Sequence, residues 1–170
     1  MTNVKVKKMV LCALFTALTC IATMVIQIRT PLGGYVNLGD CIVLVSAWLL
    51  GPWYGLFAAG VGSMLCDLIF GYMIYVPATF VIKAFMALCA SFIVSKNTKG
   101  NKTAVYILSA FVAEVIMVGG YFLFEAIFVA KSFIPALGGV LGNCVQGIFG
   151  IVLSVILIKL LKKPFEQFIK

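Results

Sequence analysis

The sequence contains no histidine, and only five of its 170 residues are acidic. Without an imidazole the commonest general base is missing, so Ser-His and Cys-His hydrolysis are excluded. The six cysteines (Cys12, Cys20, Cys41, Cys66, Cys89 and Cys144) form no CxxC pair, and a zinc site has no ligand set. All six lie in or at the edge of apolar runs and read as small packing residues. So few carboxylates leave a membrane-embedded enzyme without an acid–base or metal inventory. No Walker A phosphate loop is present, so this chain has no ATP-hydrolysing site of that kind. Charged residues of both signs make up only 11% of the chain.

What is present is apolar. Hydrophobic residues reach 64% and mean hydropathy is +1.18, well above the roughly one-half apolar usage of soluble domains. Thirteen basic residues give a net charge of +8. They are not arranged as a basic stripe for nucleic acid; they flank hydrophobic segments, as at the edge of a membrane. The start, MTNVKVKKMVLCALF, resembles a signal peptide, but its apolar run continues to about Ile28 without a small-residue cleavage site. It is read as a first transmembrane helix. The expectation is an all-α integral membrane protein forming one membrane domain over 1–170.

Six apolar segments can be drawn, at 9–28, 36–50, 53–71, 77–95, 104–129 and 135–159. The second is too short to cross a hydrocarbon core of about 30 Å alone. The loop before it is therefore expected to enter the membrane, where irregular backbone survives only if protein buries it or it lines a cavity. Gly51-Pro52 breaks the second and third segments apart. The tail KKPFEQFIK is amphipathic and is expected at the interface. With six spans, Lys5, Lys7, Lys8, Lys96, Lys99, Lys102, Lys159, Lys162, Lys163 and Lys170 fall on one side, which predicts both termini in the cytoplasm. The 30–40, 71–77 and 130–135 loops then face outward. No internal repeat suggests a secondary carrier or channel.

The stretch from Gly33 to Lys83 concentrates the unusual chemistry. Tyr35, Asn37 and Asp40 stand at one end; Asp67, Tyr72, Tyr75 and Lys83 stand at the other. Ionisable groups in membrane segments suggest function by default, though Asp67 and Lys83 are equally readable as a structural ion pair. Glu114, Val118, Tyr121 and Glu125 share one helix face; Glu114 lies deepest, and its role is left open. Asn143 and Gln146 bring amides into a glycine-rich segment and need partners. Counted from the outer end, Asn143 lies about 12 Å deep and Tyr121 about 10 Å. With Tyr35, Asn37, Tyr72 and Tyr75 they predict one outward-facing pocket for a flat, polar heteroaromatic solute. Ala13-x-x-x-Ala17 offers a flat face to another membrane protein.

Together these features resemble the substrate-binding S component of energy-coupling factor (ECF) transporters. The resemblance rests on the segment plan, Ala13-x-x-x-Ala17, and the stretch GGYVNLGD…LLGPWYG…GSMLCDLIFGY…VPATFVIKA. It implies capture of a vitamin from outside a bacterial plasma membrane. It also implies partnership with a transmembrane coupling subunit, contacted by Ala13 and Ala17, and with two ATP-binding subunits that hydrolyse ATP. GYVNLGD and the VPATFVIKA segment look like the hydroxymethylpyrimidine or pyridoxine subgroup, although Val76 stands where that pattern has alanine. Riboflavin and pantothenate carriers share the general plan. The substrate-binding set read on this basis is Tyr35, Asn37, Asp40, Tyr72, Tyr75, Lys83, Tyr121, Glu125, Asn143 and Gln146. Tyrosines would stack on the ring, the two amides would meet a hydroxyl or ring nitrogen, and Glu125 would meet a cationic amine or protonated ring.

Overall fold

The computed structural model describes residues 2–30, 32, 34–97 and 101–169. Gly33, Lys99 and Lys170 lie outside the described residues. The elements are α1 (Thr2–Val25), β1 (Gln27–Arg29), β2 (Tyr35–Asn37), α2 (Gly39–Leu50), α3 (Pro52–Phe70), α4 (Val76–Lys96), α5 (Lys102–Phe124) and α6 (Phe133–Ile169). A π-helical turn, Glu125–Val129, extends α5. Among the described residues, five helices are long and apolar enough to cross a membrane, and α2 is a shorter apolar helix. An apolar chain in lipid must satisfy its backbone internally, and helices do so residue by residue.

The six-helix plan agrees with the sequence, with three local differences. Residues 27 and 28 were expected to end the first helix, but with Arg29 they form a strand. That strand pairs antiparallel with β2, setting Gln27 opposite Asn37, Ile28 opposite Val36 and Arg29 opposite Tyr35. Ile28 and Val36 are β-branched and suit an extended pair, and the ladder gives this segment the backbone partners it needs at such depth. Residues 36 and 37 are accordingly strand and not the start of the second helix. At the other end, α6 does not stop near 159; it runs for 37 residues, about 55 Å by helical rise, and includes the KKPFEQFI tail. Phe165 packs beside Phe15, Leu50 and Ala58, and that apolar contact keeps the tail in the bundle.

Between α2 and α3, Gly51 takes a positive φ of 84° and Pro52 opens the next helix. The pair forms the tight break that the sequence signals. The 12-residue α2 spans only about 18 Å, and it is the most enclosed element: Val43, Leu44, Val45 and Ala47 have no exposed surface. Its neighbours are α1, α3, α4 and α6. Lipid-facing surface lies on the longer helices, where Leu14, Phe57, Phe85, Phe111 and Leu141 are exposed. Lys7 Nζ donates to the Phe168 carbonyl at 2.9 Å, so the start of α1 and the end of α6 share one end of the bundle. The β-hairpin, the 71–75 turn and the π-helical turn gather at the opposite end, where Tyr75 Oη reaches both the Leu32 carbonyl and Glu125.

Candidate functional site

Under the hairpin lies a pocket lined by residues from α1, both strands' connection and α3 to α6. Its cavity volume is about 20 Å³. The lining comprises Tyr35, Asn37, Tyr75, Lys83, Tyr121, Glu125 and Asn143, together with Thr23, Thr30, Gly34, Ser63, Asp67 and Thr79. Asn37 is set by the turn it makes: its side-chain oxygen accepts from the Gly39 N–H at 2.8 Å, joining β2 to α2.

Two carboxyl groups line this space. Asp67, 2% exposed, accepts from Tyr35 Oη at 2.5 Å through one oxygen. Glu125, 3% exposed, accepts from Tyr75 Oη at 3.3 Å through one oxygen. In each the second oxygen is buried with no hydrogen-bond partner among the described residues, and the hydroxyls of Thr30 and Ser63 are in the same condition. Four unsatisfied oxygens around one pocket are unusual, because buried polar groups are nearly always paired. They are acceptors, or hydroxyls able to accept, waiting for donors. Burial, and then the Asp67 carboxyl, push the Tyr35 phenol above its ordinary range. Burial and Glu125 do the same to Tyr75. Both phenols thus remain O–H donors.

Glu125 opens the π-helical turn, where the Ala130 N–H bonds back to the Glu125 carbonyl at 2.8 Å. Such wide turns often re-aim a side chain at a working site. On the facing helix there is no side chain at Gly139: a Cβ there would stand 2.5 Å from Glu125 Oε2. The glycine is what admits the carboxyl.

Of the two readings of Asp67 and Lys83, the mutual ion pair does not form. Lys83 pairs with Asp40 of α2, both nearly inaccessible, and Asp67 is met by Tyr35 instead. The cause is the short α2, which brings Asp40 to the bundle interior directly beneath the pocket. Gln146 Nε2 donates to the other Asp40 oxygen at 2.6 Å, and Gln146 Oε1 accepts from the Asn37 N–H at 2.7 Å. Asp40 and Gln146, expected to touch the solute, thus lie behind the pocket lining and hold it. Tyr72 is also outside the lining and packs on Tyr35, ring centroids 4.9 Å apart. Tyr121 Oη donates to Thr79 at 3.1 Å, and the Lys83 ammonium sits 5.4 Å from the Tyr121 ring centroid. No group of three or more Cys, Asp or Glu side chains able to hold a metal occurs among the described residues.

The hydroxyls of Thr23, Thr30, Ser63 and Thr79 escaped the sequence reading. Ser and Thr in membrane helices commonly bond their own backbone, as Thr23 does to the Thr19 carbonyl. Asp67 gave a visible signal, readable as a ligand contact or as the ion-pair partner of Lys83; it lines the pocket without pairing with Lys83.

Residues 3–163 match the model of a family described as ECF-type riboflavin transporter, S component. A Pyrococcus woesei protein, named "Uncharacterized protein in gap 3'region", is 34% identical over 102 residues, which is 59% of this chain. The match spans 66% of that relative, just under two thirds of its length. Among solved structures, the fold is similar to "Structure and mechanism of the S component of a bacterial ECF transporter". The TM-score is 0.73 at 20% identity, over 94% of this chain and 97% of that one. It is also similar to the S-component for biotin from an ECF-type ABC transporter, with TM-score 0.61, 20% identity and 94% of each chain covered. At these identities the two structures speak for the fold alone.

Proposed function

Because the chain belongs to the family of ECF-type riboflavin transporter S components, we propose that it is a membrane-embedded capture subunit for a single-ring, donor-rich vitamin of the pyridoxine or hydroxymethylpyrimidine type. It delivers that solute to a transmembrane coupling subunit driven by two ATP-binding subunits, and the ATP is hydrolysed by those partners. Entry is from the outside of a bacterial plasma membrane, through the end of the bundle opposite the lysine-rich one.

The observation that carries the substrate reading is the imbalance of the pocket. It offers two carboxyl groups with an unpartnered oxygen each, while its one lysine is held by Asp40. Such a lining favours a solute that brings hydrogen-bond donors or a positive charge, such as an aminopyrimidine or a protonated pyridine carrying hydroxymethyl groups. It disfavours vitamins that carry a carboxylate, as pantothenate and biotin do. Tyr35, Tyr75 and Tyr121 supply aromatic walls.

Riboflavin is the second reading, favoured by the description of the family model. Mass spectrometry of the detergent-purified protein under denaturing conditions, with ligand-induced thermal shifts over a vitamin panel, decides between them. A pyridine or pyrimidine vitamin is the expected companion. A flavin would keep the family and overturn the substrate. A stand-alone carrier would take up solute without copurifying an ATPase module.

A further inference from the structure

Below the pocket, Glu114 of α5 is buried, 4% exposed, and neither carboxyl oxygen has a hydrogen-bond partner among the described residues. It is the only residue among the described ones with both carboxyl oxygens in that condition. Its carboxyl lies in a gap that two glycines of α6 leave open. A Cβ at Gly147 would stand 3.4 Å from Glu114 Oε2, and one at Gly150 would collide with Oε1 while standing 3.2 Å from the Asp40 Cβ. Glu114 and Asp40 therefore both pack against Gly150.

The surroundings can be gone through element by element. From α2, Asp40 faces Glu114, with Cys41 next to it in the chain. From α4 comes Lys83, already paired with Asp40. From α6 comes Gln146, whose amide N–H is spent on Asp40. On α5 itself, Tyr121 Oη donates to Thr79. The outward side of Glu114 opens on a groove lined by Phe111, Val115, Val118 and Ile148, which offers no strong donor. Two carboxyl groups and one ammonium leave one uncompensated negative charge in an apolar interior, a costly arrangement. A metal ion would need several oxygen ligands, and no group of three or more Cys, Asp or Glu side chains able to hold one occurs among the described residues.

We propose that the Asp40–Glu114 pair is a proton-binding site: one proton, taken from water, rides on the pair as a Glu114 carboxyl O–H donated to Asp40. The cluster of Asp40, Lys83 and Glu114 is then neutral. The proton belongs to the pair, as in other close carboxyl pairs. This site is independent of which vitamin the upper pocket takes. It is tied to that pocket through Lys83, which lines it, and through the Asp40–Gln146–Asn37 chain of hydrogen bonds.

The test is infrared spectroscopy of the purified full-length protein at neutral pH, comparing wild type with Glu114→Gln. The difference spectrum is expected to show loss of one protonated-acid carbonyl band and no loss of carboxylate bands. Thermal unfolding of Glu114→Gln is expected within a few degrees of wild type, because a neutral isostere replaces a neutral acid. Loss of a carboxylate band instead, or failure of Glu114→Gln to fold, overturns the proposal. So does a rise in wild-type unfolding temperature with sodium that Glu114→Gln lacks, since that would make the occupant a metal cation.

Discussion

Lys83 shows how far a single side chain can be read from sequence. A lysine within an apolar run had to have a partner, and the chain advertised Asp67. Which acid meets it depends on the rotation of α2 against α4, and sequence alone carries no such rotation. The pair it makes with Asp40 is buried on both sides. Lys83→Met is therefore expected to destabilise by about 3–5 kcal/mol, because it strands a buried acid. Asp40→Asn with Lys83→Met should recover most of that loss, as read by thermal unfolding in detergent. Equal unfolding temperatures for wild type and the single variant would remove the pair from the stability account. Glu125 was legible because a carboxyl group in a membrane segment stands out, and its unpartnered oxygen gives it a specific task. Glu125→Gln should weaken binding of a cationic or donor-rich vitamin about 10- to 100-fold, the scale of one charge-assisted hydrogen bond. Calorimetric titration would register it; unchanged affinity would place the solute elsewhere.

At the scale of elements, the six helices were legible from apolar length and lysine punctuation, and Gly51-Pro52 from turn chemistry. The hairpin was not. Three-residue strands fall below any periodicity signal, and a two-stranded ribbon is stable here only because the bundle supports it. The π-helical turn was equally invisible, since the chain EAIFV reads as ordinary helix. Its effect is nonetheless specific, because it turns Glu125 inward against Gly139. Gly139→Ala tests that fit. The new methyl would meet the far end of a flexible side chain, so the fold should hold, with unfolding shifted by a few degrees at most. Vitamin affinity should fall about 10-fold as the carboxyl is displaced. A variant that binds normally would show that Glu125 needs no such clearance.

For the molecule as a whole, the two ends of the bundle differ in chemistry. One gathers α1's start, α6's end and most of the lysines; the other carries the hairpin and the pocket. Lysine asymmetry was legible because it is counted along the chain, and its prediction is a cytoplasmic lysine-rich end. Ala13 and Ala17 lie exposed on α1, away from the pocket lining. Ala13→Trp with Ala17→Trp is expected to abolish copurification of the coupling subunit while leaving vitamin affinity within about 2-fold, since small residues permit close helix approach and large ones block it. Retained assembly would assign the contact to another face.

The narrowness of the pocket has a consequence for time as well as for fit. The space open to a water-sized sphere is about 20 Å³, less than a single aromatic ring needs. On the proposed function, a vitamin enters only once the contact between Tyr75 and the Leu32 carbonyl opens. Capture then proceeds at a rate that levels off at high solute concentration, set by the opening step. On the proposed function, escape waits on the same step, and the subunit is expected to hold its cargo by long residence more than by rapid arrival.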